Sequence, residues 1–157
     1  MLSRARGALR RLKRIVEGRL HPRRRRAALA ARGHPASVAS AGFSRPGRPS
    51  PPTARAAAAR RDVDLAGHRL RVLPAEETTS ADLVLVMSPG QRRRVLRDSG
   101  ARPERTVVLG DLDPRDADRR AIIDPFDRPE EVFDEVYARI DRCCRALAAA
   151  LAEGSRG

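Results

Sequence analysis

The chain has 157 residues, a length that fits one domain with an appended arm. Apolar residues make up 41% but aromatic residues only 3%, so the core must be aliphatic, and no run approaches the roughly 18 apolar residues of a membrane span. The net charge is +13, and Cys143 and Cys144 are adjacent, a spacing that excludes both a disulfide framework and a metal site. No apolar segment follows the basic start, which argues against a secretory signal. We therefore expect a cytoplasmic protein without a metal or another cofactor.

The charge divides the chain into a basic arm and a near-neutral domain. Residues 1–61 contain 17 basic residues and one acidic residue, whereas residues 62–157 contain 16 basic and 19 acidic residues. Apolar periodicity predicts a basic helix within residues 1–33, broken at His21–Pro22. Such a segment can contact an anionic membrane or nucleic acid, but it has no aromatic anchor and no recognisable nucleic-acid motif. We favour a solvated, partly helical or disordered arm. The predicted divisions are an arm at 1–35, a domain at 36–152 and a tail at 153–157.

Short elements are predicted for the first part of the domain. A buried strand is predicted within Ala36–Phe43, and residues 44–52 are predicted to be a loop because they are rich in proline and glycine. Ser50 is placed to cap a helix that has Pro51 at its first position and continues through Thr53–Arg61.

The clearest strand is Asp82–Met87, whose continuous apolar run indicates that both of its faces are covered, as in a parallel sheet between helices. Ser88 and Gln91 have the spacing of a capping box, and Pro89 stands at the first position of the helix that should follow. We expect this helix to end at Gly100.

A second buried strand is predicted at Thr106–Leu109, and a long helix should begin near Pro129. Alternation of strands and helices is typical of an α/β fold with a parallel sheet. The last helix carries an apolar stripe, in which the cysteines are most simply core residues. The stripe comprises Phe133, Val136, Tyr137, Ile140, Cys143, Cys144, Leu147 and Leu151.

The candidate site is the segment Ile122–Ile123–Asp124–Pro125–Phe126. Pro125 biases Asp124 towards an extended backbone, so its carboxylate should lie on a stiff loop. Phe126 and the two isoleucines are expected to screen it from water, which favours the protonated carboxyl group and a proton-donating role. The alternative is that Asp-Pro is an ordinary turn dipeptide. Ligands of parallel sheets bind beyond the carboxyl ends of the strands, and we expect this loop to lie there.

Four blocks in this order and spacing resemble the low-molecular-weight protein tyrosine phosphatases, over about Val38 to Leu151. The blocks are Val38–Phe43, Val63–Arg71, Ala81–Met87 and Asp124–Phe126. The resemblance implies an α/β three-layer sandwich with a parallel sheet. It also implies a reaction in which a cysteine thiolate attacks phosphotyrosine, while a C-x5-R loop cradles the phosphate.

The resemblance further implies a role for four residues. Asp124 would be the general acid that protonates the leaving phenolate, and Phe126 would flank the substrate ring. Ser40 and His68 would hydrogen-bond to an asparagine of the phosphate loop. For His68, the alternative is a turn histidine satisfied by the backbone.

No C-x5-R motif is present, because the residues six positions after Cys143 and Cys144 are Ala149 and Ala150. An internal deletion near Val38 would explain this, and would remove the first strand of the sheet together with the nucleophile. We therefore predict a catalytically inactive protein that is marginally stable or partly unfolded unless Ala36–Val38 and the arm fill the gap, since the loss exposes the edges of two strands.

Three hypotheses about the function stay open at this point. The first is an inactive member of the family, and the second is a non-catalytic module that binds a phosphoprotein or another partner. The third is a tether that acts through its basic arm. In intact relatives the implied substrate is a phosphotyrosine protein or an aryl phosphate.

Overall fold

The computed structural model describes residues 39–43, 46–116 and 118–154, and it describes only the backbone of residues 153 and 154. The predicted helix in the basic arm and the start of the strand predicted at Ala36 lie outside these residues. Within the described ranges, no helix is long and apolar enough to cross a membrane. In chain order, the elements are α1 (Pro52–Ala59), α2 (Ala75–Ser80), β1 (Val84–Val86), α3 (Pro89–Asp98), β2 (Thr106–Val108) and α4 (Glu130–Gly154). Two 3-10 turns at Pro103–Arg105 and Leu109–Leu112 flank β2.

The sheet is sandwiched between two helices. β1 and β2 are parallel, with Leu85 opposite Val107. Alternation along β2 sends Val108 into a cluster with Val95 of α3, while Val107 joins a cluster with Val136 of α4. The two helices therefore cover opposite faces, which confirms the predicted α/β three-layer arrangement with a parallel sheet. Two strands form the sheet within the described ranges. Residues 1–38 lie outside these ranges, so the predicted loss of the first strand stays a prediction.

The cap of α3 is confirmed as predicted. The backbone N–H of Gln91 donates to the Ser88 hydroxyl oxygen (3.1 Å), and the Gln91 side-chain oxygen accepts from the N–H of Met87 (2.8 Å). Pro89 occupies the first turn, and the chain leaves the helix through Gly100 at φ +64°. These contacts fix how the chain turns from the carboxyl end of β1 into α3.

Three local predictions are wrong in whole or in part. Leu85 is 37% exposed, so its face of β1 is only partly covered, by contacts that Leu83 and Met87 on the same side make with the cluster around Val136. The described part of the strand predicted to end at Phe43 has only an isolated parallel bridge, between Gly42 and Val72. The cap position of α1 is Pro51, one residue later than predicted, and Ser50 makes no capping hydrogen bond there.

The long C-terminal helix is confirmed. It begins at Glu130, and its apolar stripe packs on the β2 face through Val136 and Cys143, with Ile140 and Leu147 partly buried against them. Cys143 is fully buried, which confirms its prediction as a core residue, and Cys144 is half-buried.

Candidate functional site

The Asp124 loop, residues 122–128, begins at the carboxyl end of β1. The backbone N–H of Ile122 donates to the carbonyl of Met87 (2.8 Å), the residue that directly follows the strand. Asp124 is two positions after Ile122, a reach of about 7 Å. The loop therefore lies at the edge of the sheet where parallel folds bind ligands, as the sequence predicts.

The loop is a hydrogen-bonded turn. The N–H of Phe126 donates to Asp124 Oδ1 (3.0 Å), and the N–H of Arg128 donates to the carbonyl of Pro125 (3.0 Å). Asp127 adopts a left-handed backbone conformation with φ +62°. A side chain that accepts from the backbone two residues further on is the usual reason for aspartate in a turn, so the turn interpretation of Asp-Pro is confirmed.

Screening of the carboxylate by apolar neighbours is not observed. Ile122 is buried, but Ile123 is 52% exposed and Phe126 is 64% exposed, and Asp124 itself is exposed. The prediction fails because the turn directs these side chains to the outside of the loop, whereas only Ile122 reaches the core between the sheet and α4. The roles predicted for this loop therefore stay predictions, namely a general acid for Asp124 and a residue that flanks the substrate ring for Phe126.

Ser40 and His68 lie on neighbouring segments. The N–H of Gly42 donates to the carbonyl of Arg71 (2.8 Å), and Arg71 Nε donates to the carbonyl of Ser40 (2.8 Å). The guanidinium of Arg71 also makes a bidentate ion pair with Glu77, at 2.5 Å for both bonds. The structure thus brings two of the sequence blocks together and fixes the backbone of Ser40.

The side chains of the predicted site are not joined to one another. Across the described ranges, no hydrogen bond links the Ser40, His68 and Asp124 side chains. His68 is half-buried in a turn, where its backbone N–H donates to the carbonyl of Leu65 (3.1 Å). His68 is therefore a turn residue, and its predicted contact with an asparagine of a phosphate loop stays a prediction.

Sequence reasoning missed the buried ion cluster beneath the site. Asp113 is 0% exposed; its carboxylate accepts from Arg139 Nε (2.9 Å), Arg142 Nη2 (3.1 Å) and the backbone N–H of Arg115 (3.1 Å). Burial alone would raise the pKa of Asp113, but the hydrogen bonds from Arg142, Arg115 and Arg139 outweigh it and hold that pKa below its ordinary value. Arginines at positions 139 and 142 lie among the apolar residues of the α4 stripe. A charged residue at such a position is the sequence feature that could have indicated a buried ion pair.

A model of the family described as low molecular weight phosphotyrosine protein phosphatase matches residues 24–156. The chain belongs to this family. The family assignment agrees with the order of sequence blocks, the three-layer fold and the position of the Asp124 loop.

Curated relatives within the low-molecular-weight phosphatases are moderately similar to the chain. A probable low molecular weight protein-tyrosine-phosphatase EpsP of Ralstonia solanacearum is 30% identical over 107 residues, which cover 68% of this chain and 70% of the relative. The low molecular weight protein-tyrosine-phosphatase Wzb of Salmonella typhi is 30% identical over 125 residues, which cover 76% of this chain and 79% of the relative.

Solved phosphatase structures share the fold. The tyrosine phosphatase amsI of Erwinia amylovora matches with a TM-score of 0.68 and 25% identity, over 78% of this chain and 80% of that one. Wzb of Vibrio vulnificus, solved with benzylphosphonate, matches with a TM-score of 0.67 and 25% identity, over 78% and 84% of the two chains.

The surroundings of the two cysteines differ from those of a reactive thiolate. Both lie on α4, and burial raises the pKa of Cys143 to about 11 and raises the pKa of Cys144 as well. Reactive cysteines lie in exposed, electropositive surroundings that lower their pKa, which is the opposite environment. Across the residues that the structure describes, no group of three or more His, Cys, Asp or Glu residues could hold a metal ion.

Proposed function

We propose that this chain is a catalytically silent member of the low-molecular-weight phosphatase family, a pseudophosphatase. The observation that carries the proposal is the position of the only two cysteines, Cys143 and Cys144. Both lie on the last helix, neither is followed six residues later by arginine, and both have a raised pKa.

The chemistry explains why these features end catalysis. A cysteinyl-phosphate forms only when a thiolate attacks the phosphorus atom, and a thiol with a pKa of about 11 is almost entirely protonated near neutral pH. Without the C-x5-R loop, the chain also lacks the ring of backbone N–H groups that would hold a phosphate dianion. Loss of a nucleophile from a catalytic set costs on the order of 10⁴–10⁶ in rate. Asp124 would then have no leaving group to protonate.

Hydrolysis of an aryl phosphate by the purified 157-residue chain tests this proposal. The assay is run with and without vanadate, on the wild type and on a Cys143→Ala/Cys144→Ala double variant. We expect equal, background rates in all four samples. Vanadate-sensitive turnover that disappears in the double variant would identify one of the cysteines as a nucleophile and would refute the proposal.

A second candidate function is a non-catalytic module that binds a phosphoprotein or another partner through the Asp124 loop. It is favoured by the exposure of Phe126 and Ile123 on a loop that is already ordered by its own hydrogen bonds. An ordered loop loses little conformational entropy on binding, and an exposed aromatic residue is a common anchor at interfaces.

Titration with a phosphotyrosine peptide, followed by NMR, tests the binding function. Saturable shifts of the 122–128 amides that are lost in Phe126→Ala would support it. Val63→Ala is the matched control, because Val63 is 49% exposed but lies outside the loop. A response that stays flat to millimolar peptide, or one that is equal in both variants, would argue against this function.

A cytoplasmic location and a weak contact of the basic arm with anionic surfaces also belong to this proposal. The first is supported by the unpaired cysteines and the second by the excess of basic residues in residues 1–61. Binding of anionic vesicles that weakens steeply with salt and disappears when residues 1–33 are removed would support the role of the arm. Binding that is insensitive to salt would exclude it.

A further inference from the structure

Arg139 of α4 makes contacts that its ion pair with Asp113 does not explain. The residue is 9% exposed. Its Nη1 donates to the carbonyl of Ala121 (2.9 Å), and its Nη2 donates to the carbonyls of Asp116 (3.1 Å) and Arg119. One guanidinium therefore binds three carbonyls of the segment that precedes the Asp124 loop.

The described residues of this segment, 113–116 and 118–121, form no helix or strand that could satisfy their backbone groups. A carbonyl that water reaches poorly is costly without a partner, and the bonds from Arg139 to this irregular segment are part-buried. The planar, five-donor guanidinium of arginine can bind several carbonyls at once, which a lysine ammonium cannot do in the same geometry. Arg139 supplies these donors from the inner face of α4.

The peptide group between Ala121 and Ile122 is held from both sides. Its carbonyl accepts from Arg139, and its N–H donates to the carbonyl of Met87 at the end of β1 (2.8 Å). The chain is thereby fixed to α4 and to the sheet at one point, two residues before Asp124.

We propose that Arg139 is a positioning residue that sets the location of the Asp124 loop at the carboxyl edge of the sheet. The inference goes beyond the proposed function, because it concerns the order of the loop and requires neither catalysis nor binding. Arg142 provides the contrast within the same cluster. It also pairs with Asp113, but it makes no hydrogen bond to a carbonyl of residues 113–121 in the described structure.

Amide hydrogen exchange of the full chain, measured by NMR on wild type, Arg139→Lys and Arg142→Lys, tests the proposal. Lysine keeps the charge opposite Asp113 in both variants but removes the fork that binds the carbonyls. We expect the Ile122 amide to exchange at least tenfold faster in Arg139→Lys and to change less than threefold in Arg142→Lys. The Val95 amide, in α3 on the opposite face of the sheet, should be unaffected by either. Equal acceleration of Ile122 in the two variants, or none in Arg139→Lys, would overturn the proposal.

The wild-type chain offers a test that does not depend on the folding of a variant. If Arg139 holds the loop, the hydrogen bond from its Nη1 to Ala121 must break whenever Ile122 separates from Met87. The protection factor of the Nη1 protons, corrected for their intrinsic exchange rate, should then be no larger than that of the Ile122 amide. A guanidinium protection factor tenfold larger than that of Ile122 would show that the loop opens without Arg139, and would refute the inference.

Discussion

Replacement of Asp113 by asparagine is expected to destabilise the domain strongly. The substitution keeps the size of the side chain but leaves Arg139 and Arg142 without their shared carboxylate. Removal of one partner from a buried ion pair costs about 3–5 kcal/mol. The Arg142 side chain is 29% exposed and keeps part of its hydration, so we expect the lower end of the range, about 3 kcal/mol. Against a typical stability of about 5–15 kcal/mol, this is a large fraction.

Urea unfolding followed by circular dichroism measures the effect, and Asp111→Asn is the matched control. Asp111 also makes a bidentate pair with an arginine, Arg120 (2.7 and 2.8 Å), but the arginine side chain is 41% exposed. Pairs of this kind contribute about 1 kcal/mol or less. With a slope of about 1–3 kcal/mol per molar urea, Asp113→Asn should lower the midpoint by about 1–3 M, and Asp111→Asn by much less. Equal shifts in the two variants would refute the reasoning from burial.

Three further predictions follow from burial and charge. The pKa of Asp113 in the folded state is below its ordinary value, so the ionised carboxylate stabilises the fold fully above the unfolded pKa of about 3.9. This contribution is lost as the pH falls through the lower folded pKa. Asp113→Asn should therefore weaken the decrease of the free energy of unfolding at acid pH. Iodoacetamide should label the half-buried Cys144 of the native chain before Cys143, as resolved by peptide mass spectrometry, and simultaneous labelling would mean that α4 opens. A Cβ on Gly110 would lie 2.2 Å from a backbone carbonyl oxygen, whereas a Cβ on Gly67 would meet no atom within 4 Å. Gly110→Ala should therefore lower the melting temperature by several degrees, and Gly67→Ala should change it little.

The elements that the sequence predicts well are those with a local cause. Ser88, Pro89 and Gln91 determine the start of α3 through contacts within four residues, so their spacing alone identifies the cap. The Asp124 turn is likewise predicted by Asp-Pro, because its defining hydrogen bond spans only two residues.

The features that the sequence does not predict depend on distant partners. Arg139 lies 26 residues after Asp113, and nothing in local spacing indicates which acid an arginine in an apolar stripe will meet. The exposure of Leu85 has the same origin. An apolar run indicates that a strand can be buried on both faces, but burial of each face depends on which elements from elsewhere in the chain cover it.

The contacts that place the Asp124 loop come from the second half of the chain. Its backbone is held by Met87 at the end of β1 and by Arg139 on α4, and both lie well after Val38, where the sequence predicts a deletion. If the chain is inactive as proposed, the missing nucleophile would remove the chemistry without removing the hydrogen bonds that order this loop. The loop keeps an exposed carboxylate and an exposed aromatic residue whether or not the chain hydrolyses phosphate. For this reason, local exchange at Ile122 and peptide binding at Phe126 complement a turnover assay, since each measures a property that does not require a nucleophile.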